Sequence, residues 1–148
     1  MKKLLFTVFV FLLCTQLHAQ ILTPVKWSYA FKKLGNNEVM ILMKATIDEG
    51  WHVYSQTVKD GGPVKTTFTF PASKSYTVVG KTIEPKPITR NEKVFNMDVS
   101  FFENSVVFQQ KIKLKTGQAT VKGTLQYMTC NDRQCLPPED VEFTVAVK

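Results

Sequence analysis

The segment Cys130-Asn131-Asp132-Arg133-Gln134-Cys135-Leu136-Pro137-Pro138-Glu139 carries two thiols with four residues between them. Thiols do redox chemistry or bind metal, and their compartment decides which is open to them. The chain has three cysteines, and Cys14 lies in an apolar N-terminal run that reads as an export leader. Removal of the leader leaves Cys130 and Cys135 as a pair. In an oxidising compartment two such thiols close on each other. A disulfide across a loop of about six residues removes roughly 2.2 kcal/mol of unfolded-chain entropy, against about 4.3 for sixty residues. A cross-link meant only to stabilise would gain more by joining distant strands. The spacing therefore favours exchange chemistry, with a structural staple as the alternative.

The company of the pair narrows the chemistry further. Pro137 and Pro138 fix their own φ and donate no ladder hydrogen bonds, which stiffens the backbone after Cys135. Four intervening residues let the two Cα atoms approach the roughly 5.5–6 Å usual for a disulfide. Arg133 would favour a thiolate and Asp132 oppose it, so thiol acidity is left open. The motif is not C-x-x-C, and no βαβ pattern surrounds it. His52 is the one histidine beyond the leader. Two thiolates and His52 make three ligands with no fourth at recognisable spacing, so no metal and no other cofactor are expected. A single histidine without a nucleophile motif also argues against hydrolysis.

The elements that must position these groups begin after residue 19. Lys2 and Lys3, the apolar run Leu4 to Leu13 and Leu17-His18-Ala19 make residues 1–19 a secretory signal peptide, cut near Ala19/Gln20. Phe11-Leu12-Leu13 lacks the small residues of a lipobox before Cys14. Residues 20–148 are enough for one domain with a core. Without Lys2 and Lys3 the formal charge falls from +7 to +5. The lysines are scattered, with no basic run or stacking platform, so no nucleic-acid partner is expected. No later segment is long and apolar enough to span a membrane.

Period-two alternation dominates from Val25. Val25, Trp27, Tyr29 and Phe31 share one phase, followed by Val39 to Ile47, Trp51 to Tyr54 and Val64 to Phe70. Val106 to Leu114, Val121 to Tyr127 and Val141 to Val147 repeat it. Short strands with turn residues between them predict an all-β sandwich or barrel. Its core should hold Trp27, Tyr29, Phe31, Phe68, Phe108, Leu125 and Phe143. Pro71 to Met97 is the least regular stretch, and Pro85 to Asn96 a candidate lid or binding loop.

Cys130 to Glu139, followed by the strand Val141 to Val147, resembles the redox hairpin of the N-terminal (alpha) domain of the thiol:disulfide interchange protein DsbD. Gly50-Trp51-His52-Val53-Tyr54-Ser55-Gln56 is similar to that family's aromatic strand. Glu92-Lys93-Val94-Phe95-Asn96 falls where its cap loop sets a Phe over the cysteines. The resemblance covers essentially residues 21–148. It implies a single immunoglobulin-like antiparallel β-sandwich, monomeric and periplasmic. It implies that reducing equivalents pass from a thioredoxin-like donor protein or domain to periplasmic thiol acceptor proteins. Cys135 would meet the partner and Cys130 resolve the mixed disulfide, with Phe95 as cap and His52, Tyr54, Pro137 and Pro138 lining the site. His52 and Tyr54, two apart on a strand, would share a face. Three features depart from the family pattern. The cysteine spacing is one residue shorter, Leu136 replaces an aromatic, and His52 stands where a Tyr is expected. The chain ends at Lys148 without a membrane or thioredoxin-like domain, so the donor is expected to be a separate protein. The competing reading is an immunoglobulin-like binding module with an inert hairpin staple.

Overall fold

Alternating side chains become paired strands along most of the chain, because each strand must satisfy its backbone groups on a neighbour. The computed structural model describes residues 22–148, and the expected leader with Cys14 lies outside them. The strands are β1 (Val25–Gly35), β2 (Glu38–Ile47), β3 (Trp51–Tyr54), β4 (Thr67–Thr69), β5 (Tyr76–Ile83) and β6 (Ile88–Glu92). They continue as β7 (Met97–Glu103), β8 (Ser105–Leu114), β9 (Ala119–Tyr127), β10 (Thr129–Asn131) and β11 (Glu139–Val147). One sheet has the order β1-β2-β8-β5, a second β11-β9-β4, and a third β10-β3-β7-β6. All the pairings are antiparallel. The first two sheets face each other across the main core. Only Met128 separates β9 from β10, and only Asn104 separates β7 from β8, so the third sheet continues both layers. The result is the immunoglobulin-like antiparallel β-sandwich expected from the sequence.

The apolar phases point inward. Phe108 and Leu125 are fully buried and Phe143 nearly so, while Trp27, Tyr29, Phe31 and Phe68 are half-buried against them. β1 is an edge strand, so its aromatic row is covered from fewer sides. Phe68 and Trp27 lie 4.9 and 6.0 Å from Phe108, and Tyr29 stacks on Phe143 at 4.8 Å. Full burial of such a side chain stabilises by about 1.5–3 kcal/mol. Gly123 faces Phe143 across β9 and β11, and any Cβ there would collide with the ring.

The stretch from Pro71 to Met97 is more regular than its composition suggests. It contains β5, which pairs with β8 through a bulge at Gly80 (φ +70°), and β6, which forms a hairpin with β7. Pro85 and Pro87 fall in the short connection between them, where no ladder bond is lost. The candidate lid of residues 85–96 therefore shrinks to the turn at 93–96. The strand expected from Val64 to Phe70 is also shorter, since only Thr67–Thr69 pair with β9. Thr66 is buried instead, its hydroxyl donating to the Tyr54 carbonyl at 2.5 Å.

Candidate functional site

A tight turn brings the two thiols together. Asn131 N donates to the Gln134 carbonyl at 2.9 Å, and Asn131 Oδ1 accepts from Arg133 N and Gln134 N at 2.9 and 2.8 Å. This side-chain mimicry of a backbone turn suits an Asn. On the other side Leu136 N donates to the Thr129 carbonyl at 3.0 Å. Cys130 and Cys135 oppose each other between these two bonds as an antiparallel bridge. They form a disulfide with Cα atoms 4.0 Å apart. That is closer than the expected separation, because directly opposed residues of a non-hydrogen-bonded pair are the closest in a ladder. Beyond the bridge the register shifts. Two residues of the β9–β10 run, Met128 and Thr129, face three on the other side, and the extra length is taken up at Pro137-Pro138.

The two sulfurs have unlike surroundings. Cys130 is 2% exposed, whereas Cys135 is classed among the exposed residues. Cys130 belongs to a second apolar cluster with Tyr54, Val58, Val99 and Phe101, against which Phe95, Met97 and Met128 pack. This cluster occupies the outer face of the third sheet. The opposite face sends Val53 and Phe102 into the main core. Sheet alternation thus gives one strand two cores to serve.

His52 and Tyr54 share the face that carries Cys130. Register sets Cys130 opposite His52, and His52 opposite Glu103 on β7. Cys135, Cys130, His52 and Glu103 therefore lie in one row across four neighbouring segments. His52 Nε2 is 3.1 Å from the Tyr54 hydroxyl, and the imidazole packs on Phe101 at 4.7 Å. Arg90 lies over Phe101 at 5.0 Å from the ring centre and pairs with Glu103 at 3.4 Å. Burial holds the His52 pKa below the ordinary imidazole value, although Glu92, Glu103 and Asp132 pull it upward. Burial also raises the Tyr54 pKa, reinforced by Glu92, so the phenol stays protonated.

A pH dependence of stability follows. The unfolded chain protonates His52 near about 6.5, and the folded chain only at lower pH. The stability that neutral His52 contributes is present above that value and is lost as pH falls through the folded pKa. Denaturant titrations at a series of pH values should show the decline in wild type and a flatter one in His52→Phe. Parallel curves would show that His52 does not titrate differently on folding.

Phe95 sits in the β6–β7 turn, where Phe95 N donates to the Glu92 carbonyl at 3.1 Å and Asn96 N to the Lys93 carbonyl at 3.3 Å. Asn96 takes φ 51°, the left-handed conformation that Asn tolerates. The Phe95 ring is half-buried and meets Tyr54 edge-on at 6.4 Å, while neighbouring Val94 is 82% exposed. The strand begins only at Met97. Cys130, His52, Tyr54 and Phe95 are thus brought together. Pro137 and Pro138 lie on the exposed rim and outside the packed cluster. Met97 and Met128 also pack against the cluster, and Phe101 and Glu103 border the site but stand out in no sequence pattern, because cross-strand register alone places them there. A groove of about 680 Å³ between β4 and β5 contains neither cysteine. Among the described residues no group of three His, Cys, Asp or Glu could hold a metal ion, and no helix is long and apolar enough to cross a membrane.

An immunoglobulin-like sandwich with a disulfide hairpin at one end, one cysteine buried in an apolar cluster against which Phe95 packs, defines the class of domain. The family described as "Thiol:disulfide interchange protein DsbD, N-terminal" matches residues 18–146. The chain belongs to that family, whose domains transfer reducing equivalents by thiol–disulfide exchange. Solved structures share the fold. The N-terminal periplasmic domain of ScsB from Proteus mirabilis superposes with a TM-score of 0.62 at 20% identity, covering 84% of this chain and 49% of that one. The chain therefore spans about half of that ScsB domain. The reduced DsbD N-terminal domain of Neisseria meningitidis gives a TM-score of 0.52 at 15% identity, covering 80% and 83%. The same organism's complex between the DsbD and PilB N-terminal domains gives 0.55 at 15%, covering 84% and 87%. No curated protein sequence matches the chain.

Proposed function

We propose that this domain relays reducing equivalents in the periplasm, from a thioredoxin-like donor to thiol acceptor proteins, through Cys130 and Cys135. The observation that carries the reading is the unequal exposure of the two cysteine residues, Cys130 buried and Cys135 exposed. A donor thiolate reaches Cys135 Sγ, the Cys135–donor bond forms, and the electron pair of the broken bond leaves on Cys130 Sγ. A second donor thiolate then attacks the donor sulfur of that mixed disulfide and releases both cysteines reduced. The reverse sequence reduces an acceptor disulfide. Both thiols are required, because exchange runs through the mixed species. The leader expected at residues 1–19 and the periplasmic setting of the similar ScsB domain support the compartment. The DsbD–PilB complex supports a protein partner. An exposed cysteine on a hairpin rim suits a macromolecule better than a small substrate.

An equilibrium titration of the purified chain against a thiol/disulfide buffer tests the proposal. The midpoint should lie above about −300 mV, and a thioredoxin-like protein should reduce the bond. A midpoint at or below that value, with no exchange with a thioredoxin-like protein, would establish the disulfide as a staple.

A further inference from the structure

We infer that His52 is the proton acceptor for Cys130 when that thiol resolves a mixed disulfide held on Cys135, with Glu103 supporting the imidazolium that forms. The inference rests on the exchange reading above and assigns the proton that reading leaves unplaced. Its basis is the row Cys135, Cys130, His52, Glu103, one residue from each of four adjacent segments at a single register. Directly opposed side chains have Cβ atoms about 4.5–5.5 Å apart. Such a line is too drawn out to wrap a metal, but it puts a base beside the thiol and an acid behind the base.

The chemistry needs such a base. Cys130 is 2% exposed among apolar side chains, and burial of that kind holds a thiol in its unreactive protonated form. The reactive species is the thiolate. Of the groups around it, Tyr54 on the same strand as His52 has its pKa raised and is a poor base. Glu103 on β7 and Glu92 and Arg90 on β6 bear on the imidazole, as does Asp132 in the hairpin turn. Three of those four are carboxylates that stabilise an imidazolium, and the fourth, Arg90, is paired with Glu103. His52 itself is neutral at physiological pH and held by the Tyr54 hydroxyl at 3.1 Å.

Cys130 gives its proton to the imidazole. Cys130 Sγ attacks Cys135 Sγ, the Cys130–Cys135 bond forms, and the Cys135–partner bond breaks. The electron pair leaves on the partner's sulfur, which takes the proton from His52 directly or through water. The cysteine pair is oxidised by two electrons and the partner reduced by two.

Stopped-flow reaction of the reduced chain with a small aromatic disulfide that releases a coloured thiolate separates the steps. The first release reports attack by Cys135, and the second reports resolution by Cys130. His52→Tyr, which installs the residue expected at this position in the family, should leave the first release unchanged. It should slow the second by about a hundredfold near neutral pH, the lower end of general-base effects. The deficit should narrow only as pH rises past the ordinary thiol value of about 8.5, where the buried Cys130 begins to ionise unaided. His52→Gln keeps a hydrogen-bonding partner for Tyr54 without a titrating group, and should behave in the same way if His52→Tyr perturbs folding. A second release with wild-type rate and pH profile in both variants overturns the inference alone. Absence of any release from the reduced wild-type chain overturns the exchange reading, and this inference with it.

Discussion

Cys135→Ala is expected to abolish exchange with a thioredoxin-like protein, whereas Cys130→Ala should capture that protein as a stable mixed disulfide. The difference follows from where the sulfurs lie. An incoming thiolate needs a nearly linear approach to the sulfur it attacks, which favours exposed Cys135 over Cys130, 2% exposed in a cluster with Tyr54 and Phe101. With Cys135 removed, the remaining thiol is buried. With Cys130 removed, the exposed thiol still reacts, but no internal group displaces the partner. Non-reducing electrophoresis and intact-mass measurement after mixing would read both results. Equal capture by the two variants would show that burial does not order the sulfurs. Either substitution should lower folding stability only modestly, by no more than about the 2.2 kcal/mol that so short a loop provides, apart from the small cavity left by Cys130.

Phe95→Ala should accelerate reaction of the reduced cysteines with a small thiol reagent several-fold or more, with only a minor loss of stability. The ring packs against the cluster that buries Cys130 without itself being fully buried. It is half-buried, meets Tyr54 edge-on at 6.4 Å, and stands in a turn rather than a strand. A turn of four residues can move aside for a partner while β6 and β7 remain paired, as active-site lids do. A fully buried Phe costs about 3–5 kcal/mol on truncation, and Phe95 should cost clearly less. Alkylation kinetics and denaturant unfolding on the same variant decide the matter. Unchanged reactivity combined with a loss in the core range would make Phe95 a packing residue.

Much of this arrangement was legible from residue pattern, and the reason is physical. Alternation reports which side chains share a face, so Phe108, Leu125 and Phe143 could be assigned to the core and His52 and Tyr54 to one side of β3. The short cysteine spacing foreshadowed the close approach of Cys130 and Cys135. β5 and β6 were hidden because prolines 85 and 87 suggested one long irregular loop, when they occupy only the connection between two strands. The neighbours of the disulfide on β7 were invisible for a different reason. Phe101 and Glu103 reach the site through strand pairing with residues about fifty positions earlier, and no local signal encodes that register.

The hairpin rung also bears on how far folding and reduction are coupled. Any stability that the disulfide lends the native fold must reappear as added resistance of the native bond to reduction, because the two equilibria share one thermodynamic cycle. Here the flanking hydrogen bonds from Asn131 and Leu136 already pin the segment on both sides, and the closed loop is short. The cross-link's share is then about 2.2 kcal/mol at most. Spread over two electrons, that shifts the native bond by only about 45–50 mV relative to the unfolded chain. A long-range cross-link would tie the same domain's redox state to its survival. This one lets the domain be emptied and refilled with electrons while the sandwich beneath it stays folded.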